Sequence, residues 1–175
     1  KYCFGCERYL TDKELNDKGE CETHLTVPQV ISEKNYFFRM QKYLPIWKAQ
    51  LQQNPSHVEP QGFRNEVLGT IDELIKNGED LSISRPKTRL QWGIEIPFDK
   101  DYVTYVWFDA LVNYISSTGW PENQAEFKKW WVNAENVVQY CGKDNLRQQS
   151  AMWQAMLMSV GIIPSQRIIV DRKST

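Results

Sequence analysis

The sequence has no surplus of charge of either sign, no long apolar run and no leader-like N-terminus. Its 21 basic residues are balanced by 22 acidic ones, and the net charge of -1 gives no general indication of nucleic acid or a membrane as partner, although a local basic patch is compatible with it. No run of about 18 apolar residues is present, as a membrane-spanning helix requires. The N-terminal residues resemble neither a signal peptide nor a transit sequence. We therefore predict a soluble, cytoplasmic protein without a membrane partner.

What is present is enough apolar material for a real core. Of the 175 residues, 41% are apolar and 13% are aromatic, which suffices for one or two domains. The chain begins without Met, shortly before a cysteine motif, and we expect it to be a piece of a longer protein.

Four candidate metal ligands lie near the N-terminus in two pairs. Cys3 and Cys6 form a C-x2-C pair, and Cys21 and His24 form a C-x2-H pair further along the chain. Two such pairs deliver four ligands to one tetrahedral centre, and three thiolates with one imidazole suit a structural Zn²⁺. The alternative is a set of disulfides or free thiols, with Cys141 as an odd fourth cysteine.

The segment 103–114, VTYVWFDALVNY, is the centre of the interpretation. Residues 103–108 are β-branched and aromatic without interruption, which predicts a strand buried on both faces, followed by a helix from about Asp109. Ligands of parallel sheets bind outside the carboxyl ends of the strands, so we expect Asp109, Ala110 and Tyr114 at the rim of a site. The alternative is an ordinary buried strand in which Asp109 caps the helix.

Two amphipathic helices are predicted in the first half of the chain. Apolar residues recur at helical spacing over 40–51, where Asn54 and Pro55 end the pattern, and over 64–77, where Gly78 is the expected C-terminal cap. Both apolar stripes indicate core packing. Short strands are predicted at 35–39, 80–84 and 92–97.

The C-terminal part predicts a strand, a helix and a second strand over 137–141, 145–160 and 167–170. Short connections between these elements imply a right-handed βαβ unit, whose helix should be buried nearly all round. The preceding segment, 120–136, is polar and is expected at the surface.

The turn after residue 141 is a candidate nucleotide site. Gly142 allows close approach of a ligand to the backbone, Lys143 offers a positive charge, and Asp144 can bind a ribose hydroxyl. The alternative is that Asp144 only caps the following helix. A local basic cluster at 85–89 is either a solvated loop or a contact for phosphate.

The motifs form one ordered series: C-x2-C and C-x2-H at 3–24, NYFFRM at 35–40, RNEVL at 64–68, DLSISR at 80–85, WGI at 92–94, YVWFDALVNY at 105–114, GKD at 142–144 and W-x-AMLM at 153–158. This series resembles methionyl-tRNA synthetase, a class I aminoacyl-tRNA synthetase, along nearly the whole chain. The resemblance implies the second half of a Rossmann-type parallel sheet with helices, plus a small zinc-knuckle insertion. It also implies three parts: the knuckle at 1–34, a helical return segment at 35–79 and the catalytic half-domain at 80–175.

The resemblance further implies a ligase that activates methionine with ATP to methionyl-adenylate and transfers it to tRNA(Met). Mg²⁺ would accompany ATP, and one structural Zn²⁺ would occupy the knuckle. The residues implied in the methionine pocket are Trp107, Ala110, Tyr114, Gln149 and Trp153. The residues implied in ATP binding are Gly142, Lys143 and Asp144.

Three departures from the family pattern qualify what is expected of this piece. The HIGH motif is absent, and residues 171–175 resemble only the end of the KMSKS loop, with residues suspected missing near 170–171, so we expect negligible ATP turnover by the piece alone. Gln149 stands where the family often has a histidine, and a glutamine does not titrate near neutral pH. Met152 stands where an aromatic residue is common.

Two other functions remain possible at this level. The chain could be a zinc-stabilised module that binds tRNA or a protein without catalysis, using the knuckle and the basic cluster at 85–89. It could also be a related class I synthetase for another apolar amino acid, although that class does not share the series of motifs at 35–85.

Overall fold

The computed structural model describes residues 1–6, 8–10, 12–30 and 34–171. The chain separates into two compact units, Lys1–Lys34 and Asn35–Thr175. The three-part division expected from the resemblance stays a prediction.

The first unit is built on a small β-hairpin. Strand β1 (Tyr2–Cys3) pairs antiparallel with β2 (Arg8–Tyr9), and a short 3-10 turn follows at Asp12–Glu14. Among its described residues, a small buried cluster consists of Cys3, Leu10 and Cys21, with Cys6 and Leu15 packed against it. Three of these five side chains are cysteines, so the cluster contains little aliphatic material.

The second unit mixes helices and short strands. Its helices are α1 (Leu44–Gln53), α2 (Gln61–Asn77), α3 (Val106–Ser116), α4 (Gln124–Phe127) and α5 (Trp153–Ser159). Its strands are β3 (Phe37–Phe38), β4 (Val58–Glu59), β5 (Leu81–Ser82), β6 (Ser84–Pro86), β7 (Glu95–Ile96), β8 (Asp99–Thr104), β9 (Val138–Gly142) and β10 (Arg167–Asp171). Further 3-10 turns lie at Met40–Lys42, Pro55–His57 and Lys143–Asn145, and π-helical turns at Lys128–Val132 and Gln148–Met152.

The strands of the second unit form a parallel sheet and two antiparallel ones. The parallel sheet has the order β4-β10-β9, with Arg167 opposite Val138 and Ile168 opposite Val58. The antiparallel sheets are β6-β8-β7 and β3-β5. The predicted α/β class is confirmed, and so is the parallel pairing of the two strands in the expected βαβ unit. Strand β4 was not predicted, because two residues are too few to show a periodic pattern.

The prediction of a strand over 103–108 holds only for Val103 and Thr104 and is wrong for 105–108. Strand β8 ends at Thr104 and α3 begins at Val106, so Trp107 lies in the helix. Strand β8 belongs to the antiparallel sheet and buries only part of its length. A short run of aromatic and β-branched residues fits a buried helix as well as a strand, and Leu111 and Ile115 bury one face of α3. Asp109 therefore lies in the first turn of α3, not at the end of a parallel strand.

The core of the second unit confirms the two predicted helical stripes. The residues buried from these stripes are Met40, Leu44, Trp47, Leu51, Val67, Ile71 and Leu74. Gly78 ends α2 in the left-handed conformation, with φ of 65°, as predicted. The expectation of a surface position for the whole segment 120–136 is wrong, because Phe127 and Trp131 are buried in this core.

Candidate metal centre and aromatic site

The first unit brings the four predicted metal ligands together. The hairpin of β1 and β2 places Cys3 at the end of β1 and Cys6 in the turn that follows, and a second tight turn supplies Cys21 and His24. In that second turn the backbone N–H of Leu25 donates to the carbonyl of Cys21 at 2.8 Å. The sulfur and nitrogen atoms of the four side chains lie within 4.8 Å of one another.

The separations between these atoms fit one tetrahedral ion. The Sγ atoms of Cys6 and Cys21 are 3.4 Å apart, and Nδ1 of His24 lies 3.2 Å, 3.8 Å and 3.9 Å from the sulfurs of Cys6, Cys21 and Cys3. Ordinary zinc bond lengths place tetrahedral ligands roughly 3.6 to 3.8 Å apart. All four cysteines of the chain are free thiols, which disfavours the disulfide alternative. The cluster can therefore hold a metal ion.

Gly5 leaves the space that the imidazole of His24 occupies. A Cβ atom built on Gly5 would lie 2.4 Å from Cδ2 of His24, which is closer than real carbon atoms approach. The hairpin tip thus requires glycine at this position if His24 is to face the three sulfurs.

The thiols of the cluster differ in acidity. The hydrogen bond from His24 lowers the pKa of Cys21 to about 6, which favours its thiolate form. Burial, reinforced by hydrogen bonds with Cys21 and Cys3, raises the pKa of Cys6 to about 11. Because metal ligation requires thiolates, an ion that binds here would displace the proton of Cys6, whose raised pKa opposes its loss.

The second unit contains an aromatic site between α3 and the helix that ends in α5. Tyr114 on α3 and Trp153 at the start of α5 have ring centroids 5.9 Å apart. The side-chain amide of Gln149, in the π-helical turn before α5, donates to the hydroxyl of Tyr114 at 2.8 Å. Tyr114 thus contacts two of the other four residues implied in the methionine pocket.

The other two residues implied in that pocket precede Tyr114 on the same helix. Trp107 lies seven residues and Ala110 four residues before Tyr114 along α3, which places all three on one helix face. Trp107 is half-buried and Ala110 is exposed.

Two polar atoms of the aromatic site have unused hydrogen-bonding capacity. Oε1 of Gln149 and Nε1 of Trp153 are buried and have no hydrogen-bond partner among the described residues. One is an acceptor and the other a donor. Buried polar atoms are rarely left unpaired, so a ligand or an ordered water at these atoms would complete the site.

An apolar cavity of about 250 Å³ lies against Trp153. Its walls come from α3, α5, strand β3 and the residues that follow the two helices. They include Phe38, Phe108, Val112, Trp120 and Met156. Trp131 also packs edge-on against Trp153, with ring centroids 6.4 Å apart, and its indole N–H donates to the carbonyl of Ile163 at 3.0 Å. The indole of Trp153 is therefore held from several sides while its N–H stays unpaired.

The predicted nucleotide turn lies at the carboxyl end of a parallel strand. Gly142 is the last residue of β9, and Lys143 and Asp144 begin the 3-10 turn that follows. All three are exposed, and a Cβ on Gly142 would meet no atom within 4 Å. Lys143 lies 3.8 Å from the carboxylate of Glu66 on α2, an exposed pair of little energetic weight.

The basic cluster at 85–89 does not lie wholly at the surface. Arg85 is only 6% exposed, donates to Oγ of Ser82 and to the carbonyl of Ser84, and stacks 4.0 Å from the ring centre of Tyr105. Lys87 is paired with Glu95. For Arg85 the phosphate interpretation is therefore wrong, because its guanidinium serves the fold.

Sequence reasoning missed a buried polar network behind the aromatic site. Gln154 and Ser165 are fully buried and bonded to each other, and His57 contacts the carbonyl of Ser165. A glutamine within a helix that is otherwise buried and apolar was the one available signal. Of the residues 171–175, which resemble a KMSKS loop end, Asp171 ends β10 and the other four lie outside the described part of the chain.

In the described part of the chain, no helix is long and apolar enough to cross a membrane. The family model described as tRNA synthetases class I (M) matches residues 1–172.

Comparison with individual proteins gives the same result. The methionine–tRNA ligase of Deinococcus radiodurans is 42% identical over 173 residues, which cover 97% of this chain and 24% of that protein. The ligase of Fusobacterium nucleatum is 40% identical over 93% of this chain and 24% of its own length. The chain thus spans about a quarter of these relatives.

Solved structures of methionyl-tRNA synthetase from Mycobacterium tuberculosis are similar to nearly the whole chain. The apo form has a TM-score of 0.82 at 33% identity, and it covers 98% of this chain and 34% of that one. The form bound by methionyl-adenylate has a TM-score of 0.81 at 34% identity, with 98% and 33% covered.

Proposed function

The chain belongs to the family of class I (M) tRNA synthetases, and from this premise we propose that it is part of a cytoplasmic methionine–tRNA ligase. The part comprises the zinc knuckle at 1–34, the return segment at 35–79 and the second half of the catalytic domain at 80–175. The ligase would activate methionine with ATP and transfer the methionyl group to tRNA(Met).

The contact of Tyr114 with both Gln149 and Trp153 is the observation that supports this proposal most directly. Aromatic faces hold a thioether by dispersion and by sulfur–aromatic contact, because the methionine side chain has no charge to recognise. Trp107 and Ala110 would extend the same wall along α3. The unpaired atoms of Gln149 and Trp153 leave one acceptor and one donor for the polar part of a ligand or for a bridging water.

In the proposed reaction a carboxylate oxygen of methionine attacks the α-phosphorus of ATP. The bond from that phosphorus to the bridging oxygen breaks, and pyrophosphate leaves with the electron pair. Gly142, Lys143 and Asp144 would bind the nucleotide at the end of β9, and Mg²⁺ with ATP would supply charge neutralisation on the phosphates. The contribution of this chain is to bind and orient the two substrates.

The knuckle would hold one Zn²⁺ through Cys3, Cys6, Cys21 and His24. With all four positions filled by side chains the ion is structural, and its binding free energy would stabilise the small first unit. Elemental analysis of purified wild type should give about one zinc per chain. His24→Ala should bind the ion more weakly, whereas the neighbouring exposed Glu22→Ala should not; equal metal content and affinity in all three proteins would refute the ligand set.

Methionine-dependent exchange of pyrophosphate into ATP, measured with the full-length protein that contains this sequence, tests the activity. Exchange that requires methionine and is lost in Trp153→Ala is the expected result. A protein that binds tRNA(Met) but never exchanges pyrophosphate would instead be the non-catalytic zinc-stabilised module.

A further inference from the structure

Gln154 is a glutamine with 0% exposure in the middle of the most deeply buried helix of the second unit. Its Nε2 donates to the backbone carbonyl of Gln149 at 2.9 Å and to Oγ of Ser165 at 3.3 Å. Its Oε1 accepts from the backbone N–H of Ser165 at 2.9 Å. A buried amide that satisfies both its donor and its acceptor is a strong local constraint on the segments it joins.

The segment that Gln154 contacts is the π-helical turn Gln148–Met152. In this turn the N–H of Trp153 bonds to the carbonyl of Gln148, five residues back, which widens the helix by one residue. π-Turns are rare within helices and are frequent at functional sites, because the extra residue changes the direction of the side chains. The direction of Gln149 therefore depends on the local geometry of this turn.

Ser165, the other residue that Gln154 binds, is held by contacts with His57. The imidazole of His57 donates through Nε2 to the carbonyl of Ser165 at 2.6 Å, and its ring packs edge-on against Trp47 at 4.8 Å. The indole N–H of Trp47 donates to the carbonyl of Ser150, inside the same π-turn, at 2.6 Å. Residues from the first half of the unit thus hold both Ser165 and the turn in place.

We propose that Gln154 is a positioning residue, which fixes the π-turn so that the amide of Gln149 meets the hydroxyl of Tyr114. The inference rests on the proposed function, because it assigns to Gln154 an indirect part in methionine recognition. Gln154 acts through the backbone of Gln149 and touches no substrate. Without the side chain of Gln154 the π-turn changes its geometry, and the amide of Gln149 no longer meets the hydroxyl of Tyr114. The nucleotide turn at 142–144 keeps its structure.

The test compares two substitutions in the full-length protein. Gln154→Met keeps the length of the side chain and removes its hydrogen bonds, so we expect the KM for methionine to rise about tenfold, with the KM for ATP unchanged and kcat within about twofold. Gln139→Met, at another buried glutamine, is the matched control and should leave both KM values unchanged. An unchanged KM for methionine in Gln154→Met overturns the inference, and an equal loss for both substrates reduces Gln154 to a structural role.

Gln154→Glu gives a readout that loss of stability alone does not produce. The carboxylate can still accept from Ser165 but repels the carbonyl of Gln149, whereas the protonated acid can donate to it. Burial raises the pKa of such a carboxyl, so the KM for methionine of Gln154→Glu should recover as the pH falls, relative to Gln154→Met. In a Tyr114→Phe background the effect of Gln154→Met should shrink, since the contact that it positions is gone.

Failure of the proposed function is distinguishable from failure of this inference. A wild-type protein without methionine-dependent exchange contradicts the function. The position of Gln149 is then followed by NMR of its side-chain amide. This amide should be protected from exchange with solvent in wild type and should lose that protection in Gln154→Met. Equal protection in both proteins overturns the inference whatever the activity.

Discussion

The side-chain amide of Gln149 donates a hydrogen bond of 2.8 Å to the hydroxyl of Tyr114, across the gap between the π-turn and α3. Gln149 is 4% exposed, so the donor of this bond is buried, whereas Tyr114 is half-buried. A glutamine cannot titrate near neutral pH. The charge of residue 149 therefore does not change across the physiological pH range, whereas that of a histidine at this position would.

Tyr114→Phe should weaken both stability and methionine binding. The substitution keeps the ring against Trp153 but leaves the buried amide of Gln149 without its acceptor, which costs about 1 to 3 kcal/mol in the free energy of unfolding. We expect a rise of about tenfold in the KM for methionine. Thermal unfolding and pyrophosphate exchange measure the two effects. Tyr43→Phe, at a half-buried tyrosine stacked on Phe38, is the control and should alter neither.

The cluster that can hold a metal ion could be predicted from the sequence because each of its two pairs lies within a single tight turn. Trp107 and Phe108 were assigned to a strand because a short aromatic run has no period that separates helix from strand. Arg85 was considered for phosphate because its charge is visible in the sequence and its burial is not. The role of Ser165 depends in part on its contact with His57, 108 positions away, which no local pattern contains.

Gly5→Ala should weaken metal binding although Gly5 is not a ligand. The added methyl group would overlap the imidazole of His24, at 2.4 Å from Cδ2, and would push the ring away from the three sulfurs. We expect zinc affinity to fall by about tenfold or more, as for other changes that disturb the orientation of a ligand. Competition with a chromophoric chelator measures it.

The matched control for Gly5→Ala is Gly69→Ala, at an exposed position of α2 where a Cβ meets nothing within 4 Å. It should leave zinc affinity unchanged and stabilise α2 by about 0.5 to 1 kcal/mol. Full zinc affinity in Gly5→Ala would show that the hairpin tip can move aside.

Gly142→Ala tests whether glycine is needed at this position for ATP binding or for stability. The backbone of Gly142 has φ of -76°, which any residue adopts, and a Cβ there meets no protein atom within 4 Å. The substitution should therefore leave the unfolding temperature unchanged. If the nucleotide packs against this backbone, the KM for ATP should rise by about tenfold while the KM for methionine stays the same. An unchanged KM for ATP would remove Gly142 from the nucleotide site.

His57→Gln should flatten the dependence of stability on pH. Burial lowers the pKa of His57, and the hydrogen bond to Ser165 offsets this only in part. In the unfolded chain the imidazole titrates near about 6.5. The native state therefore binds fewer protons below that pH, and the free energy of unfolding falls as the pH drops through about 6.5 towards the lower native pKa, by up to about 1.4 kcal/mol per pH unit.

Urea unfolding at pH 7.5 and 5.5, followed by tryptophan fluorescence, reports on the second unit alone because all seven tryptophans follow residue 34. The variant should be less stable at the higher pH, since it loses the packing of His57 on Trp47, but should lose less on acidification. Equal losses in the two proteins would place the acid sensitivity elsewhere.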